Sequence, residues 1–240
     1  VKDAILQATL RSPTAGNMML YSVIEVTDQA AKDTLARTCD DQPFIATAPL
    51  VLLFVADYQR WMDCFAHCGV EEMCRERGTV MRTPAEGDLM LACCDALIAA
   101  QTAVLAAESF GLGSCYIGDI LEHAEEHRAL FDLPPYTFPI TLLCIGYPTA
   151  QQRRRAMTSR FGREFIVFQD RYHRLTPHDF ERMFSEMPSK TAPRTDHGAN
   201  VGQAVYLRKF SADFSAEMTR SVRAWIRTWG SGLIDSTGPG

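Results

Sequence analysis

The stretch from 88 to 110 constrains this chain more than any other. It contains no proline or glycine and is rich in alanine and leucine. At 1.5 Å per residue it would make a helix about 34 Å long. Its polar residues keep to a narrow stripe: Asp88, Asp95, Thr102 and Ser109 recur every seven positions, with Gln101 and Glu108 beside them. A helix apolar round most of its circumference is covered by a core, a partner subunit or lipid. Asp95 and Gln101 interrupt the apolar surface, which argues against a bilayer. The expected element is a central helix lying at a subunit interface.

The rest of the chain is read as the shell around that helix. Runs 49–56 (PLVLLFVA) and 139–147 (PITLLCIGY) are continuous apolar stretches of strand length. Such runs suit strands covered on both faces. A further strand is expected at 20–26, a short extended segment at 114–117, and another strand at 164–168. Helices are expected at 4–10, at 29–37 with Asp28 as N-cap, over the polar-aromatic 57–76, and at 122–131, 176–187 and 215–229. Loops are expected at 12–17, 78–87, 151–163 and 189–203, the third strongly basic. Apolar strands separated by helices give an α+β or mixed class, with a sheet between helical layers.

With 240 residues, 47% hydrophobic and 22% charged, the chain can bury a sizeable core without covalent staples. One domain over 1–229 and a flexible tail over 230–240 are expected. A net charge of −5 argues against a general nucleic-acid or anionic-membrane surface. There are eight cysteines. Cys115 and Cys144 sit among apolar residues and are expected to be buried. Cys64, Cys68 and Cys74 match no standard metal-ligand spacing and are read as packing or free thiols. His67 and His123 are read as surface or helix-end residues. The chain begins at Val1 and shows no secretory leader, so a reducing cytoplasm is expected.

Four segments carry the chemistry: SPTAGN at 12–17, DQPFI at 41–45, GLGSCYIGD at 111–119, and a basic run ending in Arg160-Phe161. Taken alone, the first is either a helix-to-strand turn or a loop presenting the Thr14 hydroxyl and Asn17 amide to a ligand. Gly111 and Gly113 do not form a dinucleotide fingerprint, because a helix precedes them where that pattern needs a strand. Glycine at 118 permits close backbone approach. Arg160 offers a permanent charge and paired donors suited to phosphate.

In this order and spacing, over about 4–229, the segments resemble the nitroreductase family of FMN enzymes, and its nitro- and quinone-reducing branch in particular. The resemblance implies an α+β sandwich with a mainly antiparallel sheet flanked by helices. It also implies an intertwined homodimer with FMN in a cleft between subunits and 205–210 reaching to the partner. It points to Thr14, Asn17, Gln42, Tyr116, Ile117, Gly118, Asp119 and Arg160 as FMN contacts. The backbone N–H of Gly118 would serve flavin N5, and Arg160 the phosphate. Many relatives have a second glycine where this chain has Asp119. An Arg-x-Ser-x-Arg arm that grips the phosphate in relatives would lie before the point where this sequence starts. No side chain is required as a catalytic residue, and no metal is implied. The implied reaction is ping-pong: hydride passes from NAD(P)H through FMN to a nitroaromatic, quinone or similar electron-poor acceptor. Reductive dehalogenation or dehydrogenation on the same fold, or flavin binding without catalysis, are the alternatives. The segment 58–84 is expected to shape substrate choice.

Overall fold

The structure is a computed structural model that describes residues 1–185 and 198–230. The chain forms two compact units: residues 1–148 with the chain from Glu217 onward, and Thr149–Ala216.

The first unit contains, in chain order, α1 (Lys2–Thr9), β1 (Tyr21–Glu25), α2 (Gln29–Thr38), α3 (Phe44–Thr47), β2 (Leu50–Asp57), α4 (Gln59–His67), α5 (Val70–Glu76), α6 (Glu86–Ser109), β3 (Gly113–Ile117), α7 (Ala124–Leu130) and β4 (Thr137–Gly146). The strands form one fully antiparallel sheet in the order β1-β2-β4-β3. This is the expected α+β class. Residues of β2 alternate between two cores. Val51, Leu53 and Val55 face one, while Leu52 and Phe54 face the other. In β4, Leu142 and Cys144 share the first core, and Leu143 and Ile145 the second. That alternation is why both strands are written as unbroken apolar runs.

Proline at 139 is tolerated for a positional reason. The β3 ladder reaches only to Leu142, and the pairing with β2 shifts register at Phe54/Val55, opposite Thr141 and Pro139. Pro139 therefore lies beside a bulge and beyond its outer neighbour, where its missing N–H costs little.

The second core is closed by α6. Ala96, Ala99, Ala100, Ala103 and Ala107 are all fully buried. These small side chains let the helix lie close on the sheet. Its outer side carries Met90, Leu91, Leu97, Ile98 and Leu105, all exposed. Among the described residues, this is the helix long and apolar enough to cross a membrane, and half of its apolar window is buried. Its N-terminus is fixed by Asp88, which accepts from the Ala85 N–H at 2.8 Å and pairs with Arg82. The Arg82 hydrogen bond is the main cause holding the Asp88 carboxyl below its usual range.

The first core is closed by α2, α7 and the helix over Asp213–Gly230. As expected, Asp28 caps α2, accepting from the Ala31 N–H at 2.8 Å.

The second unit contains α8 (Ala150–Arg154), α9 (Pro177–Ser185), α10 (Val201–Val205) and a single wide turn at Tyr206–Phe210. Its small core holds Phe165 and Met183, with Phe161 edge-on to Phe184 at 5.7 Å and Arg182 paired with Glu164. The chain then enters α11 (Asp213–Gly230), whose Trp225 and Trp229 are buried in the first unit.

Several expectations are corrected. The helix over 57–76 is two helices, broken where Gly69 turns left-handed at φ 69°. The strand expected at 164–168 is a helical turn, Arg163–Phe165. Ile166 and Val167, its β-branched signal, are exposed instead of paired. The basic loop 151–163 contains α8, capped by Thr149, which accepts from the Gln152 N–H. Residues 201–203 of the expected loop 189–203 are helical, as the start of α10. Cys144 is buried, but Cys115 is exposed because β3 is an edge strand. The tail at 231–240 and the segment 186–197 lie outside the described residues.

Candidate functional site

The exit of β3 and the turn after α2 bring five of the candidate residues into one place. Asp40 and Asp41 both adopt left-handed backbone, at φ 59° and 48°. Aspartate tolerates this better than most residues, because its short side chain can bond locally. The tight turn is closed by Gln42, whose N–H donates to the Ala36 carbonyl at 2.7 Å. The Gln42 side-chain amide donates to the Cys39 carbonyl at 2.8 Å and to Asp119 Oδ2 at 2.9 Å. Asp119 opens the helical turn Asp119–Leu121 that follows β3.

Just before it, Ile117 is buried and anchors the strand end, whereas Tyr116 is exposed. The Tyr116 hydroxyl donates to Gln101 Oε1 on α6 at 3.2 Å. Gly118 has an ordinary φ of −79°, so backbone strain does not call for glycine there. A Cβ at 118 would meet no atom within 4 Å. Glycine here leaves a strip of backbone bare on its open side.

Beneath this turn lies a buried acid that the sequence reading missed. Glu122 is 5% exposed, and its Oε1 has no hydrogen-bond partner. Burial, and then the neighbouring charges of Asp119, Asp40 and Glu217, push its carboxyl up to about 7. Beside it His127 is fully buried, bridging Thr38 Oγ1 at 2.8 Å and the Ile120 carbonyl at 3.0 Å. Burial lowers the His127 pKa. Burial also pushes the Cys39 thiol up to about 12.

The loop 12–17 is organised from α6. Asp95, 3% exposed, accepts from the Thr14 hydroxyl, from the Ala15 N–H at 3.0 Å and from the Leu20 N–H at 3.2 Å. Thr14 Oγ1 in turn accepts from the Met19 N–H at 2.8 Å. Gly16, Asn17 and Met19 all have positive φ. Asn17 is exposed at the bend. From the other side α4 clamps the loop, as Trp61 Nε1 donates to the Met18 carbonyl at 2.8 Å and Arg60 to the Met19 carbonyl at 2.9 Å. Asp95 left a signal in the sequence: it is an acid in the polar stripe of an otherwise apolar helix. Among the described residues, no hydrogen bond ties this loop to the Gln42–Asp119 pair.

Between α4, α5 and the segment before α6 lies a cavity of about 220 Å³, with Met62, Phe65, Val70, Cys74 and Met81 in its wall. Arg160 belongs to the second unit. It is exposed, and donates to Thr158 Oγ1 at 2.6 Å and to the Ser159 carbonyl at 3.2 Å.

Residues 1–147 match the model of the nitroreductase family. The chain is 32% identical over 193 residues to an FMN reductase [NAD(P)H] of Bacillus subtilis, covering 78% of this chain and 74% of that one. It is 26% identical to an NADPH-flavin oxidoreductase of Vibrio harveyi, covering 82% and 75%. The fold superposes on the solved structure of NfrA2 from B. megaterium with a TM-score of 0.76, at 26% identity, covering 95% of this chain and 87% of that one.

Proposed function

This chain belongs to the nitroreductase family, and from that premise we propose that it is an FMN-dependent oxidoreductase that oxidises NAD(P)H and reduces small electron-poor molecules. The observation that carries the reading is the Gln42–Asp119 pair set against the bare backbone at Gly118. The first relatives act, by name, as flavin reductases using NAD(P)H or NADPH. The residues fit a flavin. An amide and a carboxylate suit the donor and acceptor edge of its pyrimidine ring. An open stretch of backbone suits close approach by a planar ring.

In this reading Gln42 and Asp119 would orient the pyrimidine edge, while Tyr116 and the backbone of the buried Ile117 would lie along the ring. The N–H of Gly118 would donate to flavin N5. Thr14 and Asn17 act through the loop that Asp95 organises. Both units serve one functional domain over 1–229. FMN supplies the hydride-accepting and hydride-donating centre, and the protein binds, orients and shields it. No side chain is assigned an attacking role; bound FMN would carry the electrons between the two half-reactions, so NAD(P)H and the acceptor would use the site in turn, in ping-pong order. Nitroaromatics and quinones are the acceptor class. The sulfur- and aromatic-lined cavity beside α4 supports a role for 58–84 in choosing among them.

The chain works as a homodimer in this reading, paired through the exposed apolar side of α6. The experiment is direct. Purified protein should be yellow, release FMN on denaturation, and oxidise NAD(P)H when nitrofurazone or menadione is added. A colourless protein that fails to take up added FMN overturns the proposal.

A further inference from the structure

The C-terminal end of α4 carries a feature that the flavin chemistry does not use. Cys64 and Cys68 stand one helical turn apart, so both side chains rise from the same face. Both are exposed. The backbone between them is helical, with the Cys68 N–H donating to the Cys64 carbonyl at 2.9 Å. Elsewhere the arrangement is different. Cys39, Cys93 and Cys144 are buried. Cys93 and Cys94 are sequence neighbours, and neighbours on a helix point apart.

Helical geometry decides what such a pair can do. A disulfide needs Cβ atoms about 3.5–4.5 Å apart. Side chains at this spacing on a helix hold them about 5–6 Å apart. Direct S–S bonding would therefore require the last turn of α4 to unwind. An atom inserted between the sulfurs, bonding each at more than the S–S length, needs no such distortion. It must be soft and thiophilic, and it must accept two sulfurs on one side.

We propose that Cys64 and Cys68 form a dithiol chelate site for trivalent arsenicals. The step balances without any redox partner. The hydrated arsenical, R–As(OH)2, loses two As–O bonds and gains two As–S bonds. Each thiol proton leaves on a departing oxygen, so two water molecules form and arsenic stays trivalent. The site is independent of the flavin reading, since neither thiol belongs to the Gln42–Asp119 region.

The test uses the full chain, reduced and then freed of reductant, titrated with phenylarsine oxide. One equivalent should add one phenylarsenic group by intact mass and remove two thiols from those that react with Ellman's reagent in the native protein. Cys64→Ser and Cys68→Ser should each weaken binding about a hundredfold, since each turns a two-point attachment into a one-point one. Cys94→Ser and Cys115→Ser should leave it unchanged. Far-ultraviolet circular dichroism of each variant reports whether it is folded. Loss of only one thiol per arsenic, or undiminished binding in either the Cys64 or the Cys68 variant, overturns the proposal.

Discussion

The hydroxyl of Thr14 is hydrogen-bonded to the carboxylate of Asp95, a residue buried on the inner side of the long helix α6. The same hydroxyl accepts the Met19 N–H. A threonine that looks, in sequence, like a ligand contact is thus the hub of its own loop. The carboxylate also takes the N–H groups of Ala15 and Leu20, so one side chain satisfies donors on both sides of the bend. Charge-assisted bonds of this kind are among the stronger ones a protein makes.

Asp95→Asn should therefore destabilise the protein by about 2–4 kcal/mol, because an amide cannot accept from three donors as a carboxylate does. The measurement is urea unfolding of the variant beside the parent. An unchanged midpoint would mean that the loop holds its shape without Asp95.

Glu122→Gln tests the buried acid beneath the Asp119 turn. The folded protein holds this carboxyl at about 7, against 4.5 for the free group. Between those values the folded state keeps a proton that the unfolded state has released. Stability then falls as pH rises from about 4.5 to 7, and stays reduced above that. Glutamine removes the effect. The variant should be more stable than the parent at pH 8, by up to about 3 kcal/mol, and the two should converge near pH 4. Thermal melts across that range give the answer, and a constant difference at every pH would count against it.

Gly118→Ala separates folding from cofactor binding. The added methyl meets nothing in the protein, and its φ suits alanine. The apoprotein should melt at or slightly above the parent temperature. FMN binding, followed by fluorescence quenching, should weaken about tenfold or more, equivalent to at least 1.4 kcal/mol. Equal FMN affinity would remove Gly118 from the binding surface.

Leu91→Glu with Leu105→Glu places charge on the outer side of α6, where both leucines are at least half exposed in the single chain. Analytical ultracentrifugation should find a dimer for the parent and a monomer for the double variant. A monomeric parent, or a double variant that stays dimeric, would assign that surface another partner.

How much of this was legible depended on whether a signal was local. The runs of β2 and β4 announce strands buried on both faces, and the apolar circumference of α6 announces a central helix. The cap at Asp28 is written in residue type alone. The strand expected at 164–168 rested on Ile166 and Val167, whose β-branched character has meaning only beside a partner strand. Cys115 was misjudged because exposure in a sheet follows from strand order, and no local run of residues encodes that β3 lies at an edge. For the site, the motif reading named Gln42 and Asp119 but not that they bond to each other across the fold. Glu122 was invisible for the same reason: its carboxyl is raised first by burial and then by the charges of Asp119, Asp40 and Glu217, and the burial, Asp40 and Glu217 come from distant parts of the chain.

The burial of Trp225 and Trp229 in the first unit sets the order of events during synthesis. Trp229 donates to the Ala85 carbonyl at 3.2 Å and stands edge-on to Tyr58 and Tyr136. Every strand of the sheet has left the ribosome well before these two indoles do. Until they arrive, one side of the sheet is an open greasy surface on a tethered nascent chain. The whole of Thr149–Ala216 must be translated during that interval. A holding chaperone, or a second nascent chain, has its opportunity then, and a stop codon placed after Pro148 would make that exposed intermediate permanent.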